Sequence, residues 1–155
     1  MVTVTDYTLV ECPPQQTAVV RARVKLAELP SFFARSLPRV LEAIEAQDVT
    51  PGGEPFAYYR GVPNGRVEVE AGFPVAGVFT QTSDVWPAQL PGGRVVTGVH
   101  VGRYERVGDT YAAMLAWAAA RGLRPTGDMW EVYLTDPERE PDPQRWRTGL
   151  FLRVE

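Results

Sequence analysis

The sequence predicts an α+β fold, a pseudo-two-fold duplication of one strand-helix-hairpin unit that gives two antiparallel sheets and two main helices. Two stretches show the two-residue alternation of a half-buried strand, residues 16–26 and 94–104, and each precedes a stretch with helical spacing. A hairpin follows each helix, and the hairpins match in register: Gly53-Glu54-Pro55-Phe56-Ala57-Tyr58-Tyr59 aligns with Gly127-Asp128-Met129-Trp130-Glu131-Val132-Tyr133. Upstream, Leu29-Pro30-Ser31-Phe32-Phe33 aligns with Val107-Gly108-Asp109-Thr110-Tyr111 at nearly the same separation, so the chain states one plan twice.

In the first copy, Val20, Ala22, Val24 and Leu26 alternate with Val19, Arg21, Arg23 and Lys25, which predicts a strand with one wet face. Pro30 and Ser31 suit a helix start, and Phe33, Leu37, Val40, Leu41 and Ile44 recur at three- and four-residue spacing. Pro38 either begins the main helix or kinks it. The turn-rich residues 48–53 close the helix. Strands over 55–60 and 66–73 then flank Gly61-Val62-Pro63-Asn64-Gly65, whose Asn-Gly is a strong turn signal.

In the second copy the strand is 94–104. Asp109 is placed to cap a helix carrying Tyr111, Met114, Leu115 and Ala118 on one side, and Gly122 to end it. The last hairpin runs over 129–134 and 146–154, around a Pro-rich acidic loop at 136–145. The expected organisation is one domain spanning 1–155, with repeat one at about 16–79, a linker at 80–93 and repeat two at about 94–154.

Composition narrows the function classes. With 155 residues the chain is long enough to bury a real core, and 45% hydrophobic with 23% charged residues is ordinary for a globular protein. The net charge is -3, and basic residues are scattered among acids with no clustered face, so no direct nucleic-acid contact is expected. The first residues carry no basic segment followed by an apolar run, and no stretch of membrane-spanning length occurs; the expectation is a cytoplasmic protein with no membrane contact.

Cys12 is the one cysteine and His100 the one histidine, so neither an internal disulfide nor a thiolate or polyhistidine metal site is available. No metal and no cofactor is expected. His100 reads as a sheet or core residue, because no nucleophile-elbow glycine pattern surrounds any serine. The glycine pairs Gly52-Gly53 and Gly92-Gly93 lack the lysine and helix start of a phosphate loop. Residues 136–142 contain prolines and no central glycine, which suits a solvated hairpin tip better than a calcium loop.

Glu131 is the best functional candidate. On a strand, Trp130 and Val132 point one way while Met129, Glu131 and Tyr133 point the other, so the carboxylate shares its face with two large side chains. Burying it is costly without a partner. Ala57 stands at the matching place in the first half, which suggests that one copy supplies a charge and the other leaves room. The alternative is a Glu on a wet face, or one paired with Arg103 or Arg147. Phe56, Tyr58, Tyr59, Tyr104, Trp130, Tyr133 and Trp146, with Met129, are candidates to wall a cleft between the two copies. Flat rings beside a carboxylate favour an aromatic or cationic ligand.

Together these features resemble the GyrI-like family, the effector-binding domain of AraC- and MerR-type multidrug-responsive regulators, with a SOUL-like plan. The resemblance covers about residues 17–154. It rests on the duplicated plan, on Val99-His100-Val101-Gly102-Arg103-Tyr104 with Gly108-Asp109-Thr110-Tyr111, and above all on Trp130-Glu131-Val132-Tyr133-Leu134-Thr135-Asp136-Pro137. That last stretch is similar to the family's E-x-Y strand. The resemblance implies a small-molecule-binding domain in which Glu131 anchors cationic, aromatic drugs. Some stand-alone members are hydrolases that open the cyclopropane of DNA-alkylating compounds; here Glu131 would handle water and Tyr58 or Tyr59 would bond the oxygen that gains charge. Other members inhibit DNA gyrase by contact, so a gyrase-type partner is a third expectation. The residues before the first strand are too few for a helix-turn-helix, and a domain that does not itself read DNA is expected.

Overall fold

The computed structural model describes residues 3–4, 7–64 and 66–155. In chain order its elements are β1 (Thr3–Val4), β2 (Thr8–Cys12), β3 (Gln15–Lys25), α1 (Leu29–Ala46), β4 (Thr50–Pro51), β5 (Phe56–Asn64), β6 (Arg66–Ala76), β7 (Trp86–Leu90), β8 (Gly93–Val101), α2 (Val107–Ala120), β9 (Pro125–Tyr133) and β10 (Arg147–Val154). It is a mixed, strand-rich fold with two helices, and every strand pair is antiparallel. The chain divides into two compact units, one of Pro13–Gly92 and one of Gly93–Glu155 together with Met1–Cys12.

In the unit Pro13–Gly92, β3 lies between β6 and β7, and β6 carries β5 on its other side. Residues 80–93, expected as a linker, contain β7, whose Trp86–Leu90 pairs with the start of β3. Gly65 of the expected Asn-Gly turn lies outside the described residues.

Helix α1 passes straight through Pro38. Its buried stripe is Phe32, Ser36, Val40 and Ile44, a four-residue step, while Phe33, Leu37 and Leu41 are half-buried at its border. The expected stripe was displaced because the helix does not restart at the proline: the face set by Val40 and Ile44 continues back to Ser36 and Phe32. Pro38 and Ala34, whose carbonyl loses its helical donor, are both exposed, so water can satisfy that oxygen. Val40 and Ile44 seal against Ala18, Phe79 and Val85.

In the other unit, β8 pairs with β1 and β2 along one edge and with β10 along the other, and β9 follows β10. Helix α2 covers one face through Val107, Met114 and Ala118, packed on Val96, Leu150, Leu152 and Val154. Tyr7 joins this core. Its ring occupies the space over Gly98, where an added Cβ would sit 2.6 Å from Tyr7 Cδ1, and its hydroxyl donates to the Thr110 carbonyl at 3.0 Å.

Asp109 does not cap α2. A tight turn at Tyr104–Arg106 leads directly into the helix, which therefore starts at Val107 without a side-chain cap, and Asp109 sits in the first turn paired with Arg106 at 3.0 Å. A carboxylate there still complements the helix dipole. The C-terminus ends as expected: Gly122, at φ +69°, lets Leu123 N–H reach the Ala118 carbonyl at 3.0 Å. We expect Gly122→Ala to cost about 1 kcal/mol in urea unfolding, the strain of a Cβ in left-handed backbone.

No helix is long and apolar enough to cross a membrane, and among the described residues no group of His, Cys, Asp and Glu is arranged to hold a metal ion.

Candidate functional site

Strand pairing decides which way Glu131 points. Met129 lies opposite Leu152, Glu131 opposite Leu150 and Tyr133 opposite Thr148, and the two leucines belong to the core under α2. Glu131 therefore faces α2, in the company of Met129 and Tyr133.

What meets the carboxyl there is phenolic. The Tyr133 hydroxyl donates to Glu131 Oε1 at 3.3 Å, and the Tyr111 hydroxyl on α2 also favours the ionised carboxyl. Among the described residues no arginine or lysine pairs with Glu131; Arg103 and Arg147, the expected alternatives, are exposed and make no ion pair with it. Removal from water pushes its pKa up to about 7, against the Tyr133 bond and the Tyr111 hydroxyl, which favour the ionised form. The carboxyl is desolvated, while Glu131 as a residue is half-buried.

A ring cluster continues the site. Tyr104 meets Tyr133 edge-on, with centroids 5.8 Å apart, and stacks on Trp146 at 4.9 Å. The Trp146 indole N–H donates to the Glu140 carbonyl at 2.9 Å, which ties the ring to the acidic hairpin loop. Burial, then the negative charges of Glu131 and Asp136, raise the pKa of the Tyr104 phenol. Tyr104, Tyr133 and Trp146 are all half-buried. An uncompensated carboxylate beside accessible ring faces attracts a cation by charge and by ring quadrupole together.

Met129 packs into the helix-side core. Trp130 is on the reverse face of β9, stacked on Phe151 with centroids 5.5 Å apart and planes within 2°. Phe56, Tyr58 and Tyr59 belong to the unit Pro13–Gly92, where all three are buried and Arg60 lies over the Tyr58 ring at 5.8 Å. His100 is committed to structure: its ring nitrogens lie 2.6 Å from Thr110 Oγ1 and 2.9 Å from the Arg103 carbonyl.

Two site residues were not singled out from sequence. By spacing Tyr111 is only part of a helix stripe; its position one turn after Val107 is the available signal. Thr148, fully buried opposite Tyr133, has a hydroxyl with no hydrogen-bond partner among the described residues. Nothing in its strand context marked it.

In sequence, residues 5–155 match the GyrI-like small molecule binding domain. The chain belongs to the GyrI-like family. The resemblance drawn from the Trp130-Glu131-Val132-Tyr133 stretch is thus borne out, and with it a small-molecule-binding domain. No curated protein matches the chain in sequence.

Among solved structures, the GyrI-like domain is similar to the EcmrR C-terminal domain, with a TM-score of 0.85 at 18% identity over 97% of each chain. It is similar also to EcmrR in its DNA complex, with a TM-score of 0.86 at 21% identity, covering 97% of this chain and 57% of that one. The chain thus spans little more than half of EcmrR. SAV2435 bound to tetraphenylphosphonium gives a TM-score of 0.68 at 10% identity, covering 97% of this chain and 94% of that one. A hydrolase from Listeria innocua gives 0.64 at 16%, covering 96% and 91%. At these identities the likeness is one of fold.

Within the GyrI-like domain, Tyr133→Phe removes one bond that favours ionised Glu131. We expect the carboxyl to titrate higher by roughly half a unit, the worth of one modest hydrogen bond, in a carbon-detected NMR titration.

Proposed function

We propose that this GyrI-like domain binds lipophilic aromatic cations, with the Glu131 carboxylate as counter-ion and Tyr104, Tyr133 and Trp146 as the rings that receive the aromatic part. One observation carries the reading: the desolvated carboxyl of half-buried Glu131 has phenols, and among the described residues no cation, beside it. A site like this is costly to keep unless a ligand supplies the missing charge. The tetraphenylphosphonium held by SAV2435, which shares the fold, supports the ligand class.

The decisive comparison is between tetraphenylphosphonium and tetraphenylborate, ions of one shape and opposite sign, by calorimetry at pH 8. Binding of the cation with at least tenfold preference is expected; equal affinities would end the proposal. We also infer that the two units descend from one duplicated ancestor, since β3-α1-β5-β6 and β8-α2-β9-β10 repeat one order of strand, helix and hairpin.

A second reading is favoured by the position of the Glu131 pKa near neutrality, where a carboxylate is an effective general base. In hydrolysis of a cyclopropane-bearing alkylator, Glu131 would take a proton from water as the water oxygen bonds to a ring carbon. The strained carbon–carbon bond would break, and its electrons would pass to the conjugated oxygen, protonated by a phenol. Tyr58 or Tyr59 is the phenol expected from the family resemblance; Tyr133 is bonded to Glu131, and Tyr111 also favours its ionised form. Mass-spectrometric detection of a water adduct, absent with Glu131→Gln, would favour turnover over binding alone.

A further inference from the structure

The unit Pro13–Gly92 has a groove of about 560 Å³ between β3 and the first half of α1. Its floor is Val20, Ala22 and Val24, the helix-facing side of β3, and Phe32 forms its apolar wall. All three floor residues are half-buried, whereas Ala18, two residues earlier on the same face, is fully buried under the second half of the helix. The difference traces to Ser36. It occupies the place in the four-residue stripe where Val40 and Ile44 put branched apolar side chains, and a hydroxymethyl is too small to reach the sheet. Ser36 lines the groove, is 5% exposed, and no hydrogen bond takes up its hydroxyl among the described residues.

The charges at the rim do not cancel. Arg39 and Asp84 form an ion pair, so the one acid lining the groove is already neutralised. Arg35 also lines it; its Nε donates to the Ser31 carbonyl at 3.3 Å, and among the described residues no carboxylate pairs with its guanidinium. The alternate residues of β3, Arg21 and Arg23, project from the opposite face, where Arg21 is paired with Glu70 at 3.1 Å. The groove thus combines an apolar trough, a serine hydroxyl and one spare guanidinium.

We infer that this groove binds an aliphatic carboxylate, its chain along Val20, Ala22, Val24 and Phe32 and its head at Arg35 with the Ser36 hydroxyl alongside. The volume falls in the range of small-molecule sites, about 300–1,000 Å³. A guanidinium recognises a carboxylate through paired hydrogen bonds, and the apolar floor explains why a free acetate would not suffice. This site is independent of Glu131, carries the opposite charge preference and stands or falls separately.

The test is a nitrogen-15 NMR titration of the full chain with sodium dodecanoate below its micelle concentration, beside octanoate and dodecyltrimethylammonium. Dodecanoate is expected to shift amides of β3 and of residues 31–39, and to bind more tightly than octanoate by up to about fourfold per added methylene that enters the groove. Arg35→Glu, at an exposed position, should weaken it tenfold or more while the spectrum stays folded. Ser36→Leu completes the apolar stripe and should abolish binding while raising the melting temperature. Glu131→Gln should leave dodecanoate affinity unchanged. The inference is overturned if those amides do not move, if Arg35→Glu binds equally well, if the ammonium competes at the same amides with equal affinity, or if the groove proves to be a self-association surface, with the chain dimerising and dodecanoate excluded.

Discussion

At pH 8, Glu131→Gln is expected to bind tetraphenylphosphonium about thirtyfold more weakly than the wild type, a loss of about 2 kcal/mol. That is the scale of one charge contact a few ångströms away in a partly desolvated site. Glutamine keeps the shape and can still accept from Tyr133, so the change isolates the charge. The same experiment at lower pH adds a second constraint. With the carboxyl titrating at about 7, the wild type is mostly protonated at pH 6, and its affinity should fall about tenfold per unit below the midpoint. The variant should bind with a flat pH profile, and the two curves should converge near pH 5.5. Parallel curves for the two proteins would assign the cation to some other group.

Unfolding free energy should respond to Glu131 in the opposite sense. Its folded pKa is raised from 4.5 to about 7, so between those values the folded protein holds a proton that the unfolded chain has released. Stability is then greatest below the unfolded value and declines as pH rises through the window, reaching its floor once the folded carboxyl has ionised. The expected decline is about 2–3 kcal/mol from pH 5 to pH 8 for a shift of this size. Urea unfolding of wild type and Glu131→Gln at four pH values gives the result by difference, because other titrating groups are common to both. The variant should gain on the wild type steadily with pH and exceed it in stability at pH 8. A constant difference across the series would mean that the carboxyl is not desolvated. The two effects are linked: the residue that destabilises the empty fold at neutral pH is the one that holds the cation.

Much of the candidate site could be read from alternation alone. On β9, Met129, Glu131 and Tyr133 share one face because strand side chains alternate, and no tertiary information is needed to see it. The same rule separated Trp130 from Glu131, and its stacking on Phe151 places it on the reverse face. Tyr111 could not be assigned from sequence, since which residue of an inward helix face meets a given strand position depends on how α2 lies across the sheet. The groove beside α1 was hidden for a related reason. Apolar spacing runs the stripe through Phe33 and Leu37, because a serine carries no apolar signal for the inward row. The strand in residues 80–93 was obscured by Pro87, which an edge strand tolerates and a pattern search penalises. Hairpins and helix ends were legible where glycine or strict alternation leaves little choice, as at Gly122.

Tyr7 and Thr110 are joined by a hydrogen bond across 103 residues of chain. The pairing of β2 is therefore delayed: it finds its partner only when β8 has been made, well after the whole unit Pro13–Gly92 has emerged. At a synthesis rate of about 5–20 residues per second, Leu9 and Val10 wait several seconds without a neighbouring strand. Long-range closure of this kind slows folding and leaves a sticky ribbon at the ribosome exit. Thr8 and Glu11, on either side of Leu9 and Val10, are the polar residues of that ribbon.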